Sequence, residues 1–277
     1  MKPVEPILTV ELFPPLSGKL IDVLKRLKYE DWERPTACAG WSVKDVAAHL
    51  LGGNLGRLSE RRDKPSQAEK DALSFEQLVK LIDQENEEWV RAARRISPKL
   101  LVEFLELTDP MLYQHFKNLR MEEPARISVS WAGEVQSPNW MDIAREYTEK
   151  WLHQQHIREA VGRGLLTSRA WLFPVLDTFL RALPYTYRSI QAEEGSSIGL
   201  HIDGEAGGDW CLLRQEGAWH LYSGMAPGAA ALVRLDQDLA WRLFTKGISP
   251  KVAQQRVHFE GDQALGEGII RMVSIMA

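Results

Sequence analysis

Three residues in two separate motifs carry side chains that bind divalent transition metals. His49 lies in CAGWSVKDVAAHL, and Glu149 and His153 lie much later, in EYTEKWLHQQH. Glu149 and His153 are four residues apart in a segment with a helical pattern, so both side chains leave the same face of one helix. Two imidazoles and one carboxylate suit zinc, and three protein ligands leave a coordination position open, as in catalytic sites. The pattern predicts a catalytic metal site, provided that the helix carrying His49 packs beside the other.

The helix that carries Glu149 also permits a simpler interpretation. Its apolar residues form one stripe: Trp140, Ile143, Tyr147 and Trp151. At the ~100° per residue of an α-helix, its polar residues cluster on the opposite side: Arg145, Glu149, His153 and His156. An ordinary amphipathic helix with its polar face in water would show the same pattern, because i,i+4 polar pairs are common on exposed helices. The spacing on this helix alone leaves both interpretations open.

Three glycines on the helix of His49 favour the metal interpretation. Gly52, Gly53 and Gly56 fall around His49 on that helix. Each glycine inside a helix costs ~1 kcal/mol relative to alanine. Three of them on one side indicate either the close approach of another helix or room for a bound group. We therefore predict that they line a cofactor-binding space.

Two further residues near these motifs have reactive side chains. His156 follows His153 by three residues. It is a candidate catalytic acid–base residue, with a fourth ligand, a group that orients a ligand and a surface histidine as alternatives. Cys38 has no base adjacent to it in sequence. We predict a small buried residue there, not a nucleophile.

The elements that must position these residues form a helical block from about residue 17 to 163. Ser42 is predicted to cap a helix, with Asp45 at its third position. Further helices are predicted from about Ser74 to Ile96, from near Pro98, and from Asn139 after a long connection over residues 122–138. Four long helices with one extended crossover indicate a four-helix bundle, an architecture whose interior commonly holds metals.

From about residue 196 the pattern changes to short alternating runs typical of strands. These runs are SIGLHID, DWCLLRQ, AWHLYSG and AALVRLD, followed by RVHFE. Helices are predicted over Gln237–Lys246 and Asp262–Met276. The pattern predicts a smaller α+β domain with a mostly antiparallel sheet. We place the bundle at residues 1–168 and the second domain at 169–277, with a linking helix over 169–192.

The chain resembles a known family over nearly its whole length. Residues matching the family's opening signature are Trp32, Arg34, Pro35, Thr36, Cys38, Gly40, Trp41, Ser42, Asp45, Val46, Ala48, His49 and Leu50. They resemble the mycothiol-dependent maleylpyruvate isomerase group of the DinB/YfiT-like metal-binding four-helix bundles. Glu149 and His153 are similar to its second motif, Glu-x-x-x-His, which an Asp follows three residues on. Here His156 occupies that Asp position.

The C-terminal third, in AWRLFTKGISP and FEGDQALGEGIIRMVSIMA, resembles a sterol-carrier-type (SCP2-like) domain. The resemblance implies a divalent metal, zinc or nickel, and a low-molecular-weight thiol such as mycothiol or an analogue. It also implies a cationic residue from the second domain beside the metal pocket. Arg242 and Lys246 are the candidate catalytic residues for that role, and ordinary solvated helix charges are the alternative.

Composition excludes several classes of partner. The 277 residues carry a net charge of −4, which gives no reason to expect a nucleic-acid partner. No apolar run approaches the ~20 residues of a membrane span, and the N-terminus lacks the apolar core of a secretion signal. The two cysteines, Cys38 and Cys211, are predicted to be reduced thiols in a cytoplasmic protein. A monomer and a homodimer both remain open.

The ligand set predicts a metal-dependent enzyme, and the resemblance implies an isomerase or S-transferase in which a thiol attacks a small electrophilic, anionic substrate. The metal would lower the pKa of the thiol so that thiolate forms at neutral pH. A metal-dependent hydrolase is the nearest alternative. Two alternatives belong to other classes: a metal-binding protein without turnover whose second domain holds an apolar ligand, and a structural bundle without metal.

Overall fold

The computed structural model describes residues 1–63 and 75–274, with side chains omitted at 60–63 and 75. The chain divides into two compact units. We call the first the helical unit; it contains Leu8–Glu123 and Glu146–Leu165. The second, the sheet unit, contains Met1–Ile7, Pro124–Arg145 and the chain from Leu166 onward. The predicted domains, 1–168 and 169–277, stay a prediction, and the two earlier segments of the sheet unit were not predicted.

The helical unit consists mainly of long helices. They are α1 Phe13–Leu24, α2 Val43–Asp63, α3 Phe75–Ala93, α4 Pro98–Lys117 and α5 Asn139–Ala160, which enters this unit at Glu146. Helix α2 packs against α3 and α4, and α1 packs against α4. The predicted bundle of long helices with one extended crossover, over residues 118–138, is confirmed.

The signals at the helix ends explain most of these boundaries. Ser97 caps α4 by accepting a hydrogen bond from the backbone N–H of Leu100, and Pro98 occupies the first turn. Helix α1 begins at Phe13, earlier than predicted, because Pro14 and Pro15 fit the first turn, where no backbone donor is needed. The predicted start of the third helix, Ser74, lies outside the described residues.

The core of the helical unit is apolar, but it contains a buried polar network around Lys150. Lys150 Nζ lies 2.6 Å from Asn54 Oδ1 and 3.3 Å from Asp109 Oδ1. The Asn54 amide donates to Thr108 Oγ1 and Asp109 Oδ1, each at 2.8 Å. The side chains of Lys150 and Asp109 are only 8% and 6% exposed. A buried charge without a partner costs several kcal/mol, so each of the two charges depends on the other.

The sheet unit is an α+β structure, as predicted. Its six strands are β1 Lys2–Pro3, β2 Ser197–Asp203, β3 Gly208–Gln215, β4 Ala218–Ser223, β5 Ala231–Asp236 and β6 His258–Gly261. Their order is β1-β4-β3-β2-β5-β6, and every pair is antiparallel except β2 with β5. The mostly antiparallel sheet is therefore confirmed.

Short helices accompany the sheet. They are α6 Arg169–Leu180, α7 Leu183–Thr186, α8 Gln237–Phe244, α9 Pro250–Ala253 and α10 Gln263–Gly266. The predicted linking helix over 169–192 is thus divided into α6 and α7. Asp236 caps α8 through the Leu239 N–H, and α8 ends two residues before Lys246, which has a φ of 61°.

The prediction of one helix from Asp262 to Met276 is wrong. Helix α10 ends at Gly266, and only a 3-10 turn at Ile269–Arg271 follows; Met276 itself lies outside the described residues. The Tyr187 hydroxyl donates to the carbonyl of Leu265 at 2.8 Å. A Cβ on Gly268 would lie 2.4 Å from the Tyr187 ring. Tyr187 therefore occupies the space and the acceptor that another helical turn would need.

The buried ion pair generates a stability prediction. We expect Asp109→Ala to destabilise the protein by about 3–5 kcal/mol, because the buried Lys150 ammonium would lose its carboxylate partner. The double variant Asp109→Leu/Lys150→Met should recover most of that loss. Chemical denaturation followed by circular dichroism measures both.

The matched control is Glu76→Gln, which breaks the exposed pair that Glu76 forms with Lys80. It should change stability little, since exposed pairs contribute little. An Asp109→Ala variant as stable as this control would show that the buried pair is not needed.

Candidate metal centre

A tight loop before α2 sets the position of His49 on that helix. Ser42 and Asp45 form the predicted reciprocal cap: the Ser42 N–H lies 3.1 Å from Asp45 Oδ2, and the Asp45 N–H lies 3.3 Å from Ser42 Oγ. Arg94, which directly follows α3, contacts both oxygens of the same carboxylate, at 2.9 and 3.1 Å. This cap fixes where α2 begins, and with it the direction in which His49, two turns later, projects.

Most of the predicted apolar stripe of α5 is buried, and Trp140 at its start is partly exposed. Ile143, Tyr147 and Trp151 are at most 1% exposed. Within the helical unit, Phe13 packs edge-on against Tyr147 and Phe116, with ring centroids 5.9 and 5.0 Å apart. This packing fixes the rotation of α5 about its axis.

The polar side of α5 is more enclosed than the surface-helix interpretation requires. The side chain of His153 is 12% exposed and that of Glu149 is 35% exposed. His49, on α2, is also 12% exposed. Side chains of ordinary solvated helix faces are more accessible than these histidines. The structure therefore favours a built site over a solvated face.

His49, Glu149 and His153 lie together in the structure. The Nε2 atoms of His49 and His153 are 3.0 and 2.9 Å from the same oxygen, Glu149 Oε1. The two imidazole rings have centroids 4.6 Å apart. One nitrogen from each of two helices thus points at one carboxylate oxygen.

The charges in this group are strongly coupled. Burial alone would raise the pKa of Glu149, but the charge of His153 and hydrogen bonds from His153 and His49 hold it well below its usual range. Burial alone would lower the pKa of His153, but the Glu149 carboxylate and Cys38 raise it to about 10. Both shifts favour a protonated His153 ring that donates to the Glu149 carboxylate.

The donor set fits a divalent metal. Two imidazole nitrogens and a carboxylate oxygen, all within 4.8 Å of one another, are the ligands that zinc takes in three-ligand catalytic sites. A cation between them would replace the proton shared by His153 and Glu149. The carboxylate would keep a positive partner, so the electrostatic balance of the site would be preserved.

Cys38 is a member of this centre, and the prediction of an inert buried residue missed it. Its Sγ lies 3.1 Å from His156 Nδ1 and 3.7 Å from His153 Nδ1. Burial alone would raise the pKa of the thiol, but hydrogen bonds to His153 and His156 and their charges lower it to about 6. The bases come from α5, so no neighbour in sequence signals them. The sequence signal that could have indicated the role of Cys38 was its loop, which directly precedes the cap of the His49 helix.

The backbone of that loop directs Cys38 towards α5. The Cys38 N–H donates to Thr36 Oγ1 at 3.2 Å, and the Cys38 carbonyl accepts from the Trp41 N–H at 3.0 Å. Gly40, inside this turn, has a φ of 79°, which favours glycine. The sequence left the role of His156 open. In the structure its Nδ1 lies beside Cys38 Sγ.

The three glycines of α2 do not act as one group. A Cβ on Gly52 would lie 2.5 Å from the Trp89 indole, so Gly52 permits the close packing of α3. Trp89 Nε1 donates to the Ala48 carbonyl at 2.7 Å in the same contact. A Cβ on Gly53 would meet only Glu146 Oε1, at 3.9 Å, and one on Gly56 would meet nothing within 4 Å. Of the three, Gly53 and Gly56 have space beside them on the His49 helix.

The sheet unit contains the two predicted cationic residues. Arg242 Nε lies 3.1 and 3.0 Å from the two carboxylate oxygens of Asp238, and its guanidinium is 4.2 Å from the Trp241 ring centroid. Lys246 is exposed. Their role towards a substrate stays a prediction.

A cleft of about 530 Å³ lies on the sheet unit. Its lining includes the charged or polar side chains of His201, Asp209, Arg234 and Glu260 beside Met225 and Leu232. Two of these polar groups pair with each other, since His201 Nδ1 lies 2.6 Å from Asp209 Oδ1. The alternative of an apolar-ligand carrier stays a prediction.

Among the described helices, none combines the length and the apolarity that crossing a bilayer requires.

Comparisons with known proteins agree with this architecture. The crystal structure of a histidine-to-alanine mutant of the mycothiol-dependent maleylpyruvate isomerase is 12% identical and has a TM-score of 0.50, covering 84% of this chain and 86% of that one. The crystal structure of the isomerase itself is 11% identical over the same shares, with a TM-score of 0.49. At 12% identity, the similarity to the mutant structure shows only a shared fold.

The second unit has a weaker relative. A UbiJ-SCP2 ubiquinone synthesis protein is 18% identical, covers 37% of this chain and 84% of its own, and has a TM-score of 0.24. That score is too low to support an argument about the second unit. No curated protein sequence matches the chain.

The sequence profile of the mycothiol maleylpyruvate isomerase N-terminal domain matches residues 13–158, more than half of the chain. This range contains the helices and the loop that bring His49, Glu149, His153 and Cys38 together. The chain belongs to the family defined by the mycothiol maleylpyruvate isomerase N-terminal domain.

Proposed function

We propose that this protein is a metal-dependent enzyme that uses a low-molecular-weight thiol, as an isomerase or an S-transferase, on a small electrophilic and anionic substrate. One observation carries the proposal: two imidazole nitrogens from separate helices approach the same oxygen of Glu149, at 3.0 and 2.9 Å. Such a set holds a divalent ion through three protein ligands. Family membership supports the use of a thiol, since the solved relative is described as mycothiol-dependent.

His49, Glu149 and His153 would hold the metal. When bound, a divalent ion such as zinc or nickel lowers the pKa of a thiol and so supplies a thiolate nucleophile at neutral pH. The three side chains also set the charge of the site. Two neutral imidazoles and one carboxylate leave a net positive charge on a divalent ion, which favours anionic reactants.

Neighbouring residues orient the ligands and provide space. Cys38 faces Nδ1 of His153 and thereby directs Nε2 towards Glu149. The Trp41 ring lies 5.1 Å from that of His49 and forms an apolar wall. Gly53 and Gly56, on the same helix as His49, leave room for a thiol compound to approach. These contacts support an open site with a positioned ligand set.

A requirement for the thiol is the direct test of the proposal. Zinc-loaded protein should convert small unsaturated or halogenated carboxylic acids only when a low-molecular-weight thiol such as mycothiol is added, as measured by chromatography of the products. His49→Ala should abolish this turnover. Turnover that consumes water and does not require the thiol would instead support the alternative of a metal-dependent hydrolase. Arg242 and Lys246 remain candidates for contacting the substrate's carboxylate, and a raised KM in Arg242→Ala would support that role.

Metal content provides an independent prediction. We expect untagged purified protein to contain a metal ion bound by His49, Glu149 and His153. The metal content should fall sharply in His49→Ala and in His153→Ala, because each variant removes one of the three ligands. Elemental analysis by mass spectrometry measures the content. His220→Ala, which removes an exposed histidine of β4, is the control and should match the wild type. Undiminished metal in both site variants would show that the ligands are misassigned.

Glu149→Gln separates metal binding from folding. Losing the charged ligand should weaken metal affinity by roughly a hundredfold or more, beyond the 10–100-fold typical of residues beside ligands. The fold should survive, because the aromatic stripe on the other side of α5 carries the packing. Calorimetric titration with zinc and a thermal melt by circular dichroism measure the two effects.

Glu159→Gln, which changes an exposed carboxylate on the same helix, is the matched control for that experiment. It should leave both affinity and melting unchanged. A Glu149→Gln protein without a cooperative transition would contradict the separation of site from core.

A further inference from the structure

His153 presents its two ring nitrogens to two different sets of donors. Nε2 lies 2.9 Å from Glu149 Oε1. Nδ1 lies 3.7 Å from Cys38 Sγ, which is also 3.1 Å from Nδ1 of His156. The ligand atoms of Cys38, His153 and His156 all fall within 4.8 Å of one another. A second group of three potential ligands therefore adjoins the first, with His153 common to both.

The spacing of this second group matches tetrahedral coordination. Zinc–sulfur bonds of about 2.3 Å and zinc–nitrogen bonds of about 2.0–2.1 Å separate the sulfur and nitrogen ligands by roughly 3.5 Å. The two sulfur–nitrogen distances, 3.1 and 3.7 Å, lie on either side of that value. Small side-chain rotations would bring both to it.

The chemistry of the group is softer than that of the first. One thiolate and two imidazoles suit zinc, cobalt(II) or copper(I) better than magnesium or calcium. The Cys38 backbone is fixed by hydrogen bonds to Thr36 and Trp41, so its sulfur is held in place before any ion arrives. Preorganisation of this kind lowers the cost of binding.

We propose that Cys38, His153 and His156 form a second binding site for a soft divalent metal. The ligand atoms are Cys38 Sγ and the Nδ1 atoms of both histidines. With both sites filled, His153 would join them as an imidazolate, each nitrogen binding one ion. The thiol proton of Cys38 and the ring protons of His153 are released to solvent on binding, so charge and protons balance. This site does not depend on the proposed catalytic activity.

Cobalt(II) titration of metal-free, fully reduced protein tests the proposal. We expect two equivalents to bind per chain, one of them with a thiolate-to-cobalt charge-transfer band in the near-ultraviolet. Cys38→Ser should lose the band and one equivalent, and His156→Ala should weaken the band-forming site roughly a hundredfold or more. Cys211→Ser, which changes the other free thiol, is the matched control and should keep both.

Glu149→Gln distinguishes this site from the one in the proposed function. It should weaken the equivalent without the band and retain the band-forming one. The wild-type result is decisive even if a variant folds poorly. A single equivalent without a thiolate band would overturn the second site. A single equivalent with the band would also overturn it, since Cys38 would then bind the same ion as Glu149. So would a band-forming site whose cobalt affinity is unchanged in His156→Ala.

Discussion

The shared carboxylate oxygen of Glu149 is the point at which α2 and α5 must meet for the candidate site to form. Taking a carboxylate and two imidazoles partly out of water is costly unless each finds a partner. Here the partners come from different helices, so α2 and α5 must meet in one register. A shift of α5 by one residue, about 1.5 Å along its axis, would separate Glu149 from His49 and leave both incompletely paired.

Two other polar contacts between the same helices enforce this register. Asn54 of α2 accepts from Lys150 of α5, and Arg57 lies 3.4 Å from Glu146. At one end of this interface the His49 ring packs on His153, and at the other end Arg57 contacts Glu146, so the helices run antiparallel here. Buried polar contacts are weak sources of stability compared with apolar packing, but they penalise alternative registers strongly. We infer that they serve to align the site.

Much of this could be predicted from sequence because the signals are local. The cap formed by Ser42 and Asp45 and the aromatic stripe of α5 are each encoded within a single turn or face of one helix, and both are found in the structure. Strands β2 to β6 were recognisable from alternation, whereas the two-residue β1 was not predicted. The helix predicted from Asp262 failed because Tyr187, distant in sequence, packs against Gly268. Propensity within the segment carries no information about that contact.

In the candidate site, too, local contacts were predicted better than contacts between distant segments. Glu149 and His153 are related by helix periodicity, and their convergence with His49 follows from packing one helix beside another. Cys38 was misjudged because its contacts with His153 and His156 span 115 and 118 residues. Gly52 was assigned to a cofactor space, but the Trp89 indole lies against it. The pattern of a single helix gives little information about residues such as Cys38 and Gly52, whose contacts come from another segment of the chain.

The position of each ligand is set by interactions that lie outside the site. His49 follows from the capped start of α2 and the contact of Trp89 with Gly52, and Cys38 from the hydrogen bonds of its turn. Glu149 and His153 follow from the apolar packing of Tyr147 and Trp151 on the other side of α5. Because the scaffold is held independently, changes among the metal-binding side chains alter the chemistry more than the fold. Position 156, where the resembled motif has an aspartate, carries a histidine here, and α5 stays helical through it to Ala160.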